Sequence, residues 1–130
     1  MNILLDTSTF IWIVSNPQRL SQTARDICLK EENALFLSVV SGWEMMVKYH
    51  LHKLPLPEKP EIIITSQAPR HNIQIIPLEM KEIFYLSMLP EVKNHRDPFD
   101  RMLICQSWAQ KMPILTPDPW IRKYDVKVLW

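Results

Sequence analysis

Ile3-Leu4-Leu5 is an apolar run too short for a helix and without polar alternation, and it stops abruptly at Asp6. Such a run predicts a strand buried on both faces, here residues 2–5. Thr7-Ser8-Thr9 then supplies helix-capping types, and Phe10-Ile11-Trp12-Ile13-Val14 the body of a helix that Asn16-Pro17 ends. Ser21 is placed to cap a second helix through about residue 32, with Ala24, Ile27 and Cys28 on one face. The next apolar run is residues 34–38, after which Ser38 or Ser41 can cap a helix carrying Trp43-Glu44-Met45-Met46-Val47-Lys48.

Leu54-Pro55-Leu56-Pro57 reads as a turn or extended connector, because two prolines in four residues do not continue a helix. Residues 61–70 predict a helix despite the β-branched Ile62-Ile63-Ile64-Thr65, residues 73–76 a strand and residues 78–89 a helix. The polar stretch Lys93-Asn94-His95-Arg96 leads into a helix opened by Asp97-Pro98 and closed at Lys111. Residues 114–116 predict a short strand, 120–124 a helical turn and 126–129 a last strand. Apolar strands separated by helices, without hairpin signals, describe a three-layer α/β/α domain around a mainly parallel sheet. No repeat or composition shift divides it, so residues 1–130 read as one domain.

Composition narrows the picture. The 130 residues are 47% hydrophobic and 22% charged, ordinary values for a globular domain. No apolar run is long enough to span a bilayer, and the first residues have no basic segment or cleavage signal, so a cytoplasmic location is expected. Net charge is +1, which leaves attraction to nucleic acid to local features. Gly42 is the only glycine, which excludes glycine-rich phosphate loops. Cys28 and Cys105 stand alone in apolar helical contexts and read as small buried hydrophobes.

The acids carry the candidate chemistry. In an open parallel sheet, ligands collect beyond the carboxyl ends of the strands. Asp6 ends the first strand and Asp118 follows the strand at 114–116. Either alone is accounted for as a helix cap, but side by side two ionised carboxylates repel unless a cation compensates. Glu44 forms an i, i+4 pair with Lys48, which fits a surface ion pair. Its apolar neighbours nevertheless point it toward a partly buried site. Asp97, Pro98 and Asp100 fit the start of a helix, with Asp97 capping and Asp100 one turn in, and Asp97 and Arg101 one turn apart can also pair. Asp6, Glu44, Asp100 and Asp118 are therefore the candidate metal ligands and catalytic groups, with Asp97 in a capping or orienting role. Mg²⁺ or Mn²⁺ suits such a set, since a hard cation takes a few carboxylates and keeps waters or phosphate oxygens. The chemistry expected is hydrolysis by metal-activated water.

Five segments, taken in order, resemble the PIN-domain family, specifically the VapC-like ribonucleases of bacterial toxin–antitoxin pairs. They are Leu4-Leu5-Asp6-Thr7, Ser38-Val39-Val40-Ser41-Gly42-Trp43-Glu44, Lys53-Leu54-Pro55-Leu56-Pro57, the run His95-Arg96-Asp97-Pro98-Phe99-Asp100-Arg101-Met102-Leu103-Ile104, and Ile114-Leu115-Thr116-Pro117-Asp118. The resemblance implies metal ligation by Asp6, Glu44, Asp100 and Asp118 and a supporting hydroxyl near Asp6, here Thr7 or Ser8. It also implies single-stranded or looped RNA as substrate, a homodimer, and a small cognate antitoxin as partner. The chain departs from many relatives at Ser8, where they carry His, and at Gly42, where they carry a bulkier residue. It departs again at Lys111-Met112, where a glycine usually ends the helix. None of these removes a carboxylate.

Other candidates carry less. His50 and His52 lack further ligands at zinc spacing and read as a solvated helix end, and His71 as surface. His95 reads as a solvated loop histidine within reach of RNA phosphate. Lys48, Lys53, Arg70, Arg96 and Arg101 are candidates for a basic rim, Lys48 and Arg96 above all. Trp12, Trp43 and Trp108 fall on apolar helical faces and read as core or dimer interface, and Phe10, Ile13, Met45 and Met46 add to that apolar excess. A phosphatase using an aspartyl nucleophile would want a second Asp where Ser8 stands, and a phospho-acceptor domain a paired acid where Thr7 stands. The remaining alternative is a non-catalytic PIN-like module that binds RNA or protein.

Overall fold

The computed structural model describes all residues, 1–130. Five strands form one sheet: β1 (Asn2–Leu5), β2 (Ala34–Ser38), β3 (Ile73–Ile76), β4 (Ile114–Leu115) and β5 (Val128–Leu129). All pairings are parallel and the order is β3-β2-β1-β4-β5. Six helices connect them: α1 (Thr7–Ser15), α2 (Gln22–Leu29), α3 (Val39–His50), α4 (Pro60–Arg70), α5 (Met80–Phe84) and α6 (Pro98–Gln110).

Strand side chains alternate between faces, and here each face buries its own core. Ile3, Leu5, Leu35, Leu37, Ile73 and Leu115 join Phe10 and Ile13 of α1, Ala24 of α2, Met45 of α3 and Ile63 and Ala68 of α4. Leu4 and Ile114 point the other way and pack with Leu103, Ile104 and Cys105 of α6. This is why β1, β2 and β4 read as apolar runs, whereas the edge strand β3 leaves Gln74 and Ile75 exposed. The three-layer arrangement expected from the sequence is the one observed.

Ser21 and Ser38 cap α2 and α3, their hydroxyls accepting from the Ala24 and Val40 amides, and Asp97 caps α6. The stretch at 61–70 is helical, with Pro60 at its first position and Ile63 and Ala68 holding it to the sheet. The helix expected over residues 78–89 is interrupted. A capping box between Glu79 and Glu82 starts α5 late, and after Phe84 the chain tightens into a 3₁₀ turn, Tyr85–Met88. Leu89 then extends (φ −71°, ψ 132°), as a residue before proline must. The last strand is shorter than expected, since the Val126 amide turns back onto the Tyr124 carbonyl instead of joining the sheet. Without a glycine, α6 still ends in a left-handed turn: Lys111 has φ 54° and ψ 41°, and the Met112 amide bonds the Ser107 carbonyl at 3.1 Å. Cys105 is buried and Cys28 half-buried, both free, in keeping with their reading as apolar fillers.

Candidate active site

The sheet reverses its winding at β1: the chain first builds outward through β2 and β3, then returns to lay β4 and β5 on the other side. A crevice opens at the carboxyl ends beside such a reversal. Leu5 is in register with Leu115, so the next residues, Asp6 and Thr116, emerge side by side. The Thr116 hydroxyl donates to Asp6 Oδ2 at 2.6 Å and accepts from the Asp118 amide at 3.0 Å. Asp6 stands at the start of α1 without using its side chain to cap it, which leaves the carboxylate for other work. Asp118 does cap locally, its Oδ1 accepting from the Trp120 amide at 2.9 Å.

From the other neighbour of β1, the Ser38 cap turns the chain into α3 and carries Ser41 and Glu44 over the same crevice. Both are buried. The Thr7 hydroxyl donates to Glu44 Oε1 at 2.6 Å and lies 2.9 Å from Ser41 Oγ. Lys48 pairs with the second Glu44 oxygen, so the expected i, i+4 pair forms. Ser8 reaches Asp6 Oδ2 at 3.3 Å. The two hydroxyls beside Asp6 are thus divided: Ser8 contacts Asp6 itself, and Thr7 serves Glu44.

The third wall is α6. Asp97 accepts from the Phe99 and Asp100 amides at 2.8 and 3.1 Å, satisfying two free donors of the first turn. Asp100, one turn in, faces the crevice and meets His95 Nε2 at 3.2 Å through Oδ2. His95 Nδ1 is 2.8 Å from the Tyr124 hydroxyl, and Arg101 Nη1 lies 3.1 Å from that same oxygen. Arginine only donates, so the Tyr124 oxygen accepts from Arg101 while also meeting His95 Nδ1. The His95 ring also lies parallel to Trp120, centroids 5.8 Å apart and planes 6° apart.

Burial and mutual repulsion mark the acids. Asp6 is pushed up to about 6, first by burial, against the Thr116 hydrogen bond, with the charges of Glu44 and Asp118 adding to the rise. Asp100 is pushed up to about 8 by burial and then by Asp6, Asp97, Glu44 and Asp118. Lys48 is held above its usual value: burial works against its charge, but the hydrogen bond and charge of Glu44, with Asp97 and Asp100, prevail.

The four acids share one crevice, yet no three His, Cys, Asp or Glu side chains are close enough to form a ready cage for an ion. Each of the four is already held by a hydrogen bond within the protein. The donor set still suits a magnesium-type ion, which binds through one or two carboxylates and keeps several waters.

Four expectations need correcting. Arg101 does not pair with Asp97, whose carboxylate is spent on the helix amides; it reaches instead to Tyr124 and the Pro90 carbonyl. His95 is not a solvated loop residue but is 6% exposed and bound on both ring nitrogens. Trp43 is not core: it is 55% exposed. Arg70 lines a separate cleft with Cys28 and His71 and is no part of a rim here. Arg96 lines a cleft of about 680 Å³ with Lys93, Asn94 and His95, alongside the site. His50, His52 and His71 are exposed, as expected. The sequence reading missed Thr116, Ser41, His95 and Tyr124 as parts of the site. Only Thr116 carried a signal, as a hydroxyl at a strand end two residues before Asp118.

A family model described as PIN domain matches residues 3–127. No curated protein matches the sequence. Among solved structures, a chain of DNA-bound VapBC from Salmonella typhimurium is similar over 98% of this chain and 96% of its own, with 14% identity and a TM-score of 0.69. A chain of VapBC2 from Rickettsia felis, bound to a DNA fragment from its promoter, is similar over 98% and 97%, with 15% identity and a TM-score of 0.64. FitAcB from Neisseria gonorrhoeae contributes a third, over 97% and 95%, with 17% identity and a TM-score of 0.60.

Proposed function

Since the chain belongs to the PIN-domain family, we propose that it is a single-domain endoribonuclease, dependent on Mg²⁺ or Mn²⁺, that hydrolyses RNA phosphodiester bonds. The observation that carries this reading is the gathering of Asp6, Glu44, Asp100 and Asp118 from separate segments at one sheet end, where burial first and then the charges of the other acids hold Asp100 at about 8. A fold has no structural use for such repulsion, which destabilises it unless a cation arrives.

Asp6 and Asp100 are the groups that would hold the ion, with Asp118 and Glu44 completing its surroundings. A bound divalent ion supplies a hydroxide near neutral pH and stabilises charge on the phosphodiester. Thr116 and Ser8 orient Asp6, His95 orients Asp100, and Thr7 fixes Glu44. Lys48 keeps its proton beside Glu44 and presents a cation to an approaching phosphate, with Arg96 further along.

The toxin of a toxin–antitoxin pair, acting in the cytoplasm as a homodimer with a small cognate antitoxin, is the biological setting we favour. Its support is the shared fold with chains of VapBC and FitAB complexes. The absence of a ready cage and the engagement of Glu44 by Lys48 favour one other reading, a module that binds RNA without cutting it.

Purified protein incubated with structured and single-stranded RNAs under Mg²⁺, Mn²⁺ or EDTA separates the two. Cleavage should require metal and be lost in Asp6→Asn and in Asp100→Asn, each by about 10³-fold or more. RNA binding without metal-dependent cleavage, and without Mn²⁺ binding that Asp6→Asn weakens, would establish the binding module.

A further inference from the structure

Trp43 keeps 55% of its surface in water, although a tryptophan on an apolar helix ordinarily gains much by burial. It is not loose. Its ring stands edge-on to Phe99, centroids 4.7 Å apart at 73°. Phe99 immediately precedes Asp100, and Trp43 immediately precedes Glu44. The Lys48 ammonium lies 5.9 Å from the Phe99 ring while paired with Glu44. Aromatic, cationic and acidic side chains therefore interleave along one rim, α3 giving Trp43, Glu44 and Lys48 and α6 giving Phe99 and Asp100.

We propose that Trp43 is a stacking platform for one unpaired base beside the scissile phosphate, with Lys48 at the adjoining phosphate. This rests on the ribonuclease reading above and adds the feature that selects its substrate. A ring braced by an edge-to-face contact offers a fixed π-face, and every base has a face to lay on it. In a duplex both faces of each base are already stacked, so the platform favours single strands without reading sequence. The competing occupant is a protein surface, because Val39, one turn earlier on α3, is exposed too. The Lys48 charge and the run of the patch directly into the carboxylates favour nucleic acid.

The test uses a short single-stranded RNA that the wild type cleaves, with an abasic nucleotide moved through it one position at a time. At one position near the cut, losing the base should raise the wild-type KM about tenfold. Trp43→Ala should show that raised KM on intact RNA, a kcat within about twofold of wild type, and no further penalty at that position. Trp43→Phe should restore most of the binding. Equal abasic penalties in wild type and Trp43→Ala, or an unchanged KM, would overturn the proposal. So would a dimer turned to monomer by Trp43→Ala with KM untouched, which assigns the ring to a protein interface. If the wild type neither cleaves nor binds any RNA, the ribonuclease reading falls and the platform with it.

Discussion

Asp100 meets one ring nitrogen of His95, and the Tyr124 hydroxyl meets the other. Arg101 donates to the Tyr124 oxygen, Tyr124 meets Nδ1, and the imidazole is thereby held by both nitrogens with Nε2 against the carboxylate. A carboxylate steered this way holds one orientation for an incoming ion, and partners of this kind are typically worth 10–100-fold in metal affinity or activity. His95→Ala should therefore weaken Mn²⁺ binding by about tenfold or more in isothermal titration, with RNA affinity nearly unchanged. Tyr124→Phe keeps the ring packing, removes only the hydroxyl and should give a smaller loss in the same direction. Mn²⁺ affinity equal to wild type in both would mean that His95 only fills space. These partners were invisible beforehand for a plain reason. His95 and Tyr124 are 29 residues apart, and nothing local to Arg96-Asp97-Pro98 says that the preceding histidine folds inward. Asp6 and Asp118 were readable because an acid that terminates an apolar run is placed by the strand itself.

At the level of elements, the strands and most helices could be read from runs, caps and prolines, since these act within a few residues. The helix expected over residues 78–89 failed where Glu79 and Pro90 cut it from both ends. Residues 61–70 stayed helical because Ile63 and Ala68 are buried against the sheet, and burial outweighs β-branched propensity. The end of α6 preserves a glycine's conformation without the glycine. Lys111 has a positive φ of 54°, which costs an L-residue roughly 1 kcal/mol. Lys111 is exposed, so Lys111→Gly should stabilise the protein by about 0.5–1 kcal/mol, seen as a higher urea midpoint with an unchanged slope. A lower midpoint would show that the lysine side chain contributes contacts larger than the backbone relief.

Across the whole molecule, the site sets stability against function. The folded-state values of Asp6 and Asp100, about 6 and about 8, lie above the unfolded value near 4. Between those limits the folded chain holds protons that the unfolded chain has released. The contribution of these groups is therefore fully present below about pH 4 and is lost as pH rises through about 6 and then about 8. Metal-free protein should lose on the order of 5 kcal/mol between pH 5 and 9, about 10 °C or more in Tm. Asp100→Asn should flatten most of that slope. Mn²⁺ binds the ionised carboxylates, so it should raise Tm more at pH 8.5 than at pH 5.5. Scanning fluorimetry across that range checks all three, and a flat profile in EDTA would mean the acids do not strain the fold. The strand order behind this crowding was the part least open to sequence reading. Runs of Leu and Ile announce parallel strands but do not say that β4 lies against β1.

That order has a consequence for the timing of synthesis. A ribosome delivers β1 and Asp6 first, and the hydroxyl that braces Asp6 arrives with Thr116, 110 residues later. A domain folds as a unit, so the site cannot be complete before β4 has been made. The crevice lacks its β4 wall until Thr116 has emerged, so a shorter nascent chain carries Asp6 and Glu44 as an unfinished half-site. If the finished molecule cuts RNA, the machine that makes it is spared until that wall is in place.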